Sequence, residues 1–369
     1  MALDYPANKL ACYVSDDGCS PLNFYALVEA SKLAMLWVPF CKKYNVKVRA
    51  PFKYFSDESV MSSTGSHDSW EFHEDWKKMK EEYERLRRNI EDAAKNFAAF
   101  GFDLAGEFAV FFNKESRNHS AIVKIIWENK KALSDEIPHL IYILREKQVS
   151  GMMTNAPFML NVDCDMFANN PQIVCHAMCL LLGSKEKDCA FVQCPQLYYN
   201  NPNIGLVVTH ELSHHMSKGI MGIQGKVDDD EILLKEFGNS MKLIKSAANA
   251  LKGKTGFSMS SSNSLDAAHQ VVGSAYEYSS SWGEKVRWIY GSTVEVILTG
   301  LMIHKRGWRS GYCSLNPPVF LGCVPLSSSI AAITQQKRWT TRLLEILFSK
   351  NNLISATFAA NLQFMQCLA

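Results

Sequence analysis

An α/β nucleotide-binding fold is the class this sequence predicts, and three observations predict it. Strand-like and helix-like segments alternate along the first half of the chain, the pattern of a sheet layered with helices. The first apolar run, Leu10–Ser15, ends in Asp16-Asp17-Gly18, an acidic turn that leads into a helical pattern. A second acidic turn, Asn161-Val-Asp163-Cys-Asp165, follows the apolar pair Met159-Leu160. Ligands of α/β sheets gather at the carboxyl ends of strands, where both turns are expected to lie.

Each element has its own warrant. After the first strand, Leu27, Ala30, Ala34, Trp37 and Val38 recur at helical spacing. Residues 70–98 predict a long helix whose mixed charges read as a solvated face. Pro138–Leu144, Phe158–Val162 and Ala190–Gln193 read as strands, and Pro171–Leu182 as a helix. Residues 228–252 and 292–304 also read as helices, with a Ser-rich loop at 258–264 between them.

The chain's 369 residues suffice for one large domain or two ordinary ones, and 47% hydrophobic residues can fill a core. A net charge of +2 gives no nucleic-acid footprint, so nucleic acid is excluded as a partner. Eleven cysteines, with no C-x-x-C pair, point to buried thiols in a reducing compartment; Cys175, Cys179, Cys189 and Cys194 sit in apolar runs. The opening Met-Ala-Leu-Asp-Tyr-Pro has neither the basic nor the apolar region of a signal peptide. No uninterrupted apolar run reaches the roughly 18 residues of a membrane span, so none is expected.

Two carboxylates at i and i+2 of an extended chain share one side. Asp163 and Asp165 therefore suit a hard divalent cation, Mg²⁺ or Mn²⁺, which can in turn hold a diphosphate.

Four blocks in order carry a resemblance: Tyr13-Val-Ser-Asp-Asp-Gly18, Asp163/Asp165, Trp288-Ile-Tyr-Gly-Ser-Thr-Val-Glu-Val296 and Gln335-Gln-Lys-Arg338-Trp339. Together they resemble the plant cellulose synthase superfamily of family 2 glycosyltransferases. The flanks Trp37–Tyr44, Thr154–Phe158 and His304–Arg309 look most like its cellulose synthase-like G branch. The resemblance implies a GT-A type fold and an inverting transfer from a UDP-sugar donor to a glycan, or to a triterpenoid or steroid acceptor. It implies that Asp16 or Asp17 holds the uridine, Asp163 the donor and Asp165 the metal. Gln335, Arg338 and Trp339 would cap the acceptor site, where Trp and Arg supply stacking and charge. It further implies a cytosol-facing domain, residues 1–340, on a Golgi or endoplasmic reticulum membrane surface. Residues 341–369 would be an amphipathic interfacial tail, and other synthase subunits are implied partners.

Three departures qualify this. The family's Thr-Glu-Asp supplies the catalytic base, and here the sequence reads Val294-Glu295-Val296. Glu295 survives, but Val296 holds the base position and cannot accept a proton. Two family segments are also missing: a Lys- and Gly-rich one at 147/148 and a basic one at 225/226. The alternative is thus a catalytically dead scaffold that partners active synthases.

A second pattern belongs to another class. His210-Glu211-Leu-Ser-His214 matches H-E-x-x-H, which on a helix sets two imidazoles on one face for zinc, with Glu211 as base. Glu231 and Glu236 on a downstream helix could be offered as third ligands, but the metzincin extension fails at Ser217 and Ile220, and the segment is expected to be a plain connecting helix that holds no zinc.

Overall fold

The computed structural model describes residues 1–16, 18, 20–56, 69–95, 108, 111, 122–130, 136–144, 158–183, 189–198, 209–213, 300, 303–304, 308–322 and 329–348. The chain divides into two compact units, one of Met1–Thr154, Ala168–Cys175 and Ser260–Gly273, the other of Asn155–Phe167, His176–Met259 and Ser274–Ala369.

In the first unit, β1 (Ala11–Ser15) runs parallel to β3 (His139–Leu144), and β2 (Ile122–Trp127) lies antiparallel on the far side of β3. β3 reads His-Leu-Ile-Tyr-Ile-Leu and is buried from Leu140 onward, as a central strand should be. β2 was not expected from the sequence. Its Ile-Val-Lys-Ile-Ile-Trp run is β-branched and aromatic, but a register shift between Ile125 and Trp127 breaks the alternation.

Helix α1 (Pro21–Lys43) follows β1 as expected. Ser20 caps it, its Oγ accepting the Asn23 N–H at 3.2 Å, with Pro21 in the first turn where its missing N–H costs nothing. The far end closes on Asn45, whose φ of 47° lies in the left-handed region. From there Val46 N–H reaches Cys41 O at 2.9 Å and Asn45 N–H reaches Lys42 O at 3.3 Å.

Two stripes of α1 are buried. Phe24 packs with Tyr142 and Leu144 of the sheet, together with Phe108 and Phe111. Trp37, Phe40 and Cys41 pack with Tyr54 of α2 (Pro51–Ser56) and with Phe72 and Met79 of α3 (Trp70–Lys95). Burial pushes the Cys41 thiol up to about 12, so it packs in the core as a protonated thiol. α3 keeps its charges on the solvent side as expected, yet its other face is core: Phe72 and Ala93 are fully buried. Among the described residues, α1 alone is long and apolar enough to cross a membrane by length and composition.

The second unit is a mixed sheet in the order β4-β7-β6-β9-β5, with β8 paired to β6. Its spine is β6 (Cys189–Tyr198), longer than the Ala190–Gln193 segment expected. β7 (Thr209–Ser213) pairs antiparallel with Phe191–Pro195 of β6. β8 (Arg309–Tyr312) pairs parallel with Cys189–Gln193, and β9 (Phe320–Gly322) with Gln196–Tyr198. β8 lies close to β6 because position 311 is glycine: a Cβ there would sit 3.2 Å from Val192 Cγ2. β4 (Met159–Leu160) is shorter than expected and pairs with β7; β5 (Met166–Ala168) completes the sheet. α4 (Ile173–Leu182) stands where Pro171–Leu182 was expected. α5 (Ser329–Phe348) is the amphipathic helix that carries the last sequence block. Residues 228–252 and the Ser-rich loop lie outside the described residues, as does 292–304 apart from Gly300, Ile303 and His304.

Candidate functional site

The acidic turn after β1 is built around Asp16. Its own N–H extends the ladder to Ile143 O at 2.9 Å. Its carboxylate then takes four donors. Oδ1 accepts the Gly18 N–H at 2.9 Å. Oδ2 accepts the Ser20 N–H at 3.2 Å, Asn23 Nδ2 at 3.0 Å and the Tyr142 hydroxyl. A carboxylate offers about four acceptor sites, so Asp16 is engaged by its turn, α1 and β3 together. The residue ties β1, β3 and the start of α1 together. Asp17, the other half of the pair, lies outside the described residues.

Asp163 and Asp165 stand in the second unit. They are not on a strand, as the i, i+2 argument assumed: β4 stops at Leu160, and the pair sits in a turn closed by Met166 N–H to Asp163 O at 3.1 Å. Both are exposed, as is Cys164 between them. Among the described residues, no hydrogen bond or ion pair engages either carboxylate. Two unengaged carboxylates on a tight turn are oxygen ligands of the kind a hard cation takes, and they leave most of its coordination sphere to water or phosphate. The donor set therefore fits Mg²⁺ or Mn²⁺.

Gln335, Arg338 and Trp339 lie within α5 at positions i, i+3 and i+4, which helical periodicity sets on one side of the backbone. Glu295 and Val296 lie outside the described residues.

The histidine motif brings a correction. His210 and Glu211 lie in β7, a strand and not the connecting helix expected. Its register sets His210 opposite Cys194 and Glu211 opposite Gln193. On a helix, positions four apart are neighbours. A strand offers no such neighbours, so the helical premise of the motif fails at His210 and Glu211. His214 lies outside the described residues. The alternation Thr-His-Glu-Leu-Ser, polar residues beside only one leucine, gave little sign of a strand; pairing with β4 and β6 on both sides imposes it.

Sequence reasoning also missed Tyr142, Asn23 and Ser20 as supports of Asp16. Ser20 before Pro21 was legible as a cap. Tyr142 was not, because its link to Asp16 crosses 126 residues of chain.

The comparisons with known proteins agree with the resemblance. The family model "Cellulose synthase" matches residues 1–227 and 208–369. Cellulose synthase-like protein B4 of Arabidopsis thaliana is 42% identical over 425 residues, taking in 100% of this chain and 55% of that protein. Cellulose synthase-like protein H1 of Oryza sativa subsp. japonica is 43% identical over 422 residues, 100% of this chain and 55% of its own length. Putative cellulose synthase-like protein H3 of the same rice is 43% identical over 408 residues, 98% of this chain and 50% of its own. These relatives carry the branch letters B and H, so the superfamily is shown and the G branch is not. The chain spans about half the length of the curated relatives it matches. With its whole length matched by the family model and by relatives above 40% identity, this chain belongs to the cellulose synthase family.

Proposed function

We propose that this chain is the catalytic domain of a UDP-sugar-dependent, inverting β-glycosyltransferase of cellulose synthase-like type, with a GT-A fold and with its catalysis impaired at Val296. The observation that carries the reading is the exposed Asp163/Asp165 turn between β4 and β5, its carboxylates unengaged among the described residues. A divalent ion held there would supply charge neutralisation for the departing diphosphate.

The chain's own residues divide the remaining labour. Asp163 orients the donor and Asp165 holds the metal. Asp17 takes the uridine, because the Asp16 carboxylate is spent on its own turn. Gln335, Arg338 and Trp339 face the acceptor. The acceptor hydroxyl oxygen attacks the anomeric carbon, the bond to UDP breaks, and the hydroxyl proton must pass to a base. Val296 has no lone pair to take it, and Glu295 is the nearest carboxylate in sequence. Loss of general base catalysis costs about 10²–10⁴ in rate.

The gaps at 147/148 and 225/226 belong to the same reading. Their support is an alignment of 425 residues against a chain of 369, and a family match that restarts at 208, close to the second junction. The acceptor is a glycan, or a triterpenoid or steroid if the G-branch flanks decide it. The domain would work on the cytosolic side of a Golgi or endoplasmic reticulum membrane. The scaffold reading, a partner of active synthases, is favoured by Val296 alone.

Calorimetry of the purified chain with UDP-glucose and UDP-galactose, with and without Mn²⁺, tests the proposal. Binding should require the metal and weaken at least tenfold in Asp165→Asn, while UDP release stays slow. Metal-independent binding, unchanged by Asp163→Asn and Asp165→Asn, would remove the turn from the site.

A further inference from the structure

We propose that Cys194 and Cys313 form a redox-reactive dithiol, a modification site at which a small two-electron oxidant joins β6 to the segment leaving β8. The inference stands on the geometry of the second unit and is independent of the transfer reaction.

The parallel ladder between β6 and β8 sets Gln193 opposite Tyr312. It continues one step further, because Cys313 N–H donates to Gln193 O at 2.8 Å. Cys194 and Cys313 are therefore successive positions on adjoining strands. Strands in a sheet lie about 4.8 Å apart, inside the roughly 4.4–6.8 Å between Cα atoms that a disulfide needs. Both side chains are buried, Cys194 at 2% and Cys313 at 4% exposure. Both are free thiols, and they interact side chain to side chain.

The pair is asymmetric. Burial, and next the charge of Cys313, push the Cys194 thiol up to about 12. Burial also raises Cys313, but the hydrogen bond from Cys194 works against that rise. Cys313 is thus the sulfur that loses its proton first as pH rises, and Cys194 the one that keeps it. A buried thiolate is reached by hydrogen peroxide more readily than by a bulky disulfide.

The step balances. The Cys313 thiolate attacks one peroxide oxygen, the O–O bond breaks, and hydroxide leaves, giving a sulfenic acid. The Cys194 sulfur then attacks the Cys313 sulfur, the S–O bond breaks, and the oxygen departs as water with the Cys194 proton. Two thiols are oxidised by two electrons and one peroxide is reduced.

The test treats the full chain with hydrogen peroxide, alkylates remaining thiols under denaturing conditions, and maps digested fragments by tandem mass spectrometry. Resolution must separate Cys194 from Cys189 and Cys313 from Cys323. The expected result is a Cys194–Cys313 linked fragment that a thiol reductant removes and that forms faster as pH rises through the alkaline range. In Cys194→Ser, Cys313 should instead be trapped by dimedone as the sulfenic acid. Recovery of both cysteines singly alkylated, at doses that fully oxidise exposed Cys164, overturns the proposal. So does linkage of either one to a different cysteine. Should Cys194→Ser fail to fold, the wild-type fragment map decides the question by itself.

Discussion

The hydroxyl of Tyr142, a ring wholly buried on β3, donates to Oδ2 of Asp16 at the end of β1. The bond couples the core of the first unit to the turn that carries the acidic pair. It also commits the Asp16 carboxylate to building that turn.

Removing that hydroxyl should loosen the turn without emptying the core. Tyr142→Phe keeps the ring against Phe24 and Phe111 and deletes the charge-assisted hydrogen bond to Asp16 together with a long one to Ser20 O at 3.4 Å. About 1.5–3 kcal/mol of stability should be lost, read as a lower urea midpoint at unchanged slope. An unchanged midpoint would mean that Asp16 holds its place through Gly18, Ser20 and Asn23 alone.

Acid should weaken the link between α1 and α3. Lys43 Nζ and the Tyr44 hydroxyl bond Asp75 at 2.8 and 2.7 Å and hold its carboxyl below the usual carboxylate range, Lys43 contributing most. A depressed carboxylate stabilises the fold above its unfolded pKa, near 3.9. That contribution fades as pH falls through the lower folded value. Because the pair is exposed, its contribution is small and shrinks in salt. Urea midpoints at pH 7 and pH 3 should converge for Asp75→Asn relative to wild type. A mutant with the same acid loss as wild type would show that other groups set the acid limb.

Restoring the base should not restore the enzyme. On the proposed reading Val296→Asp returns a proton acceptor worth about 10²–10⁴ in rate, while the segment proposed to be absent at 147/148 would leave the donor misplaced, and an ångström of misplacement costs about a hundredfold. UDP release is expected only from a chain carrying Val296→Asp together with both segments reinserted. Turnover in wild type would show that Glu295 or another group serves as base; turnover in the single mutant would show the gaps to be harmless.

The last helix should bind lipid. On α5, Ile333, Leu343, Leu344, Leu347 and Phe348 are exposed, Phe348 at 84%. An apolar stripe of this width suits an interfacial helix. The purified chain should cosediment with anionic vesicles, and Leu343→Glu with Leu347→Glu should abolish that. A chain that stays monodisperse and ignores vesicles would refute the interfacial role.

Much of this protein was legible in its sequence because the deciding information is local. The β1–turn–α1 unit, the charged helix α3, the buried strand β3 and helix α5 each declare themselves by the spacing of apolar residues, and the four motif blocks declared the family. What escaped is what depends on partners far along the chain. β2 hides behind a register shift. β7 reads as a helix motif until β4 and β6 offer it backbone bonds on both edges. Asp16 takes a bond from a tyrosine on another strand, and Cys194 meets Cys313 only because β8 runs alongside β6. Periodicity fixes which face of an element is apolar. Which elements share a sheet is settled by long-range hydrogen bonding and burial, and only the tertiary structure could decide that.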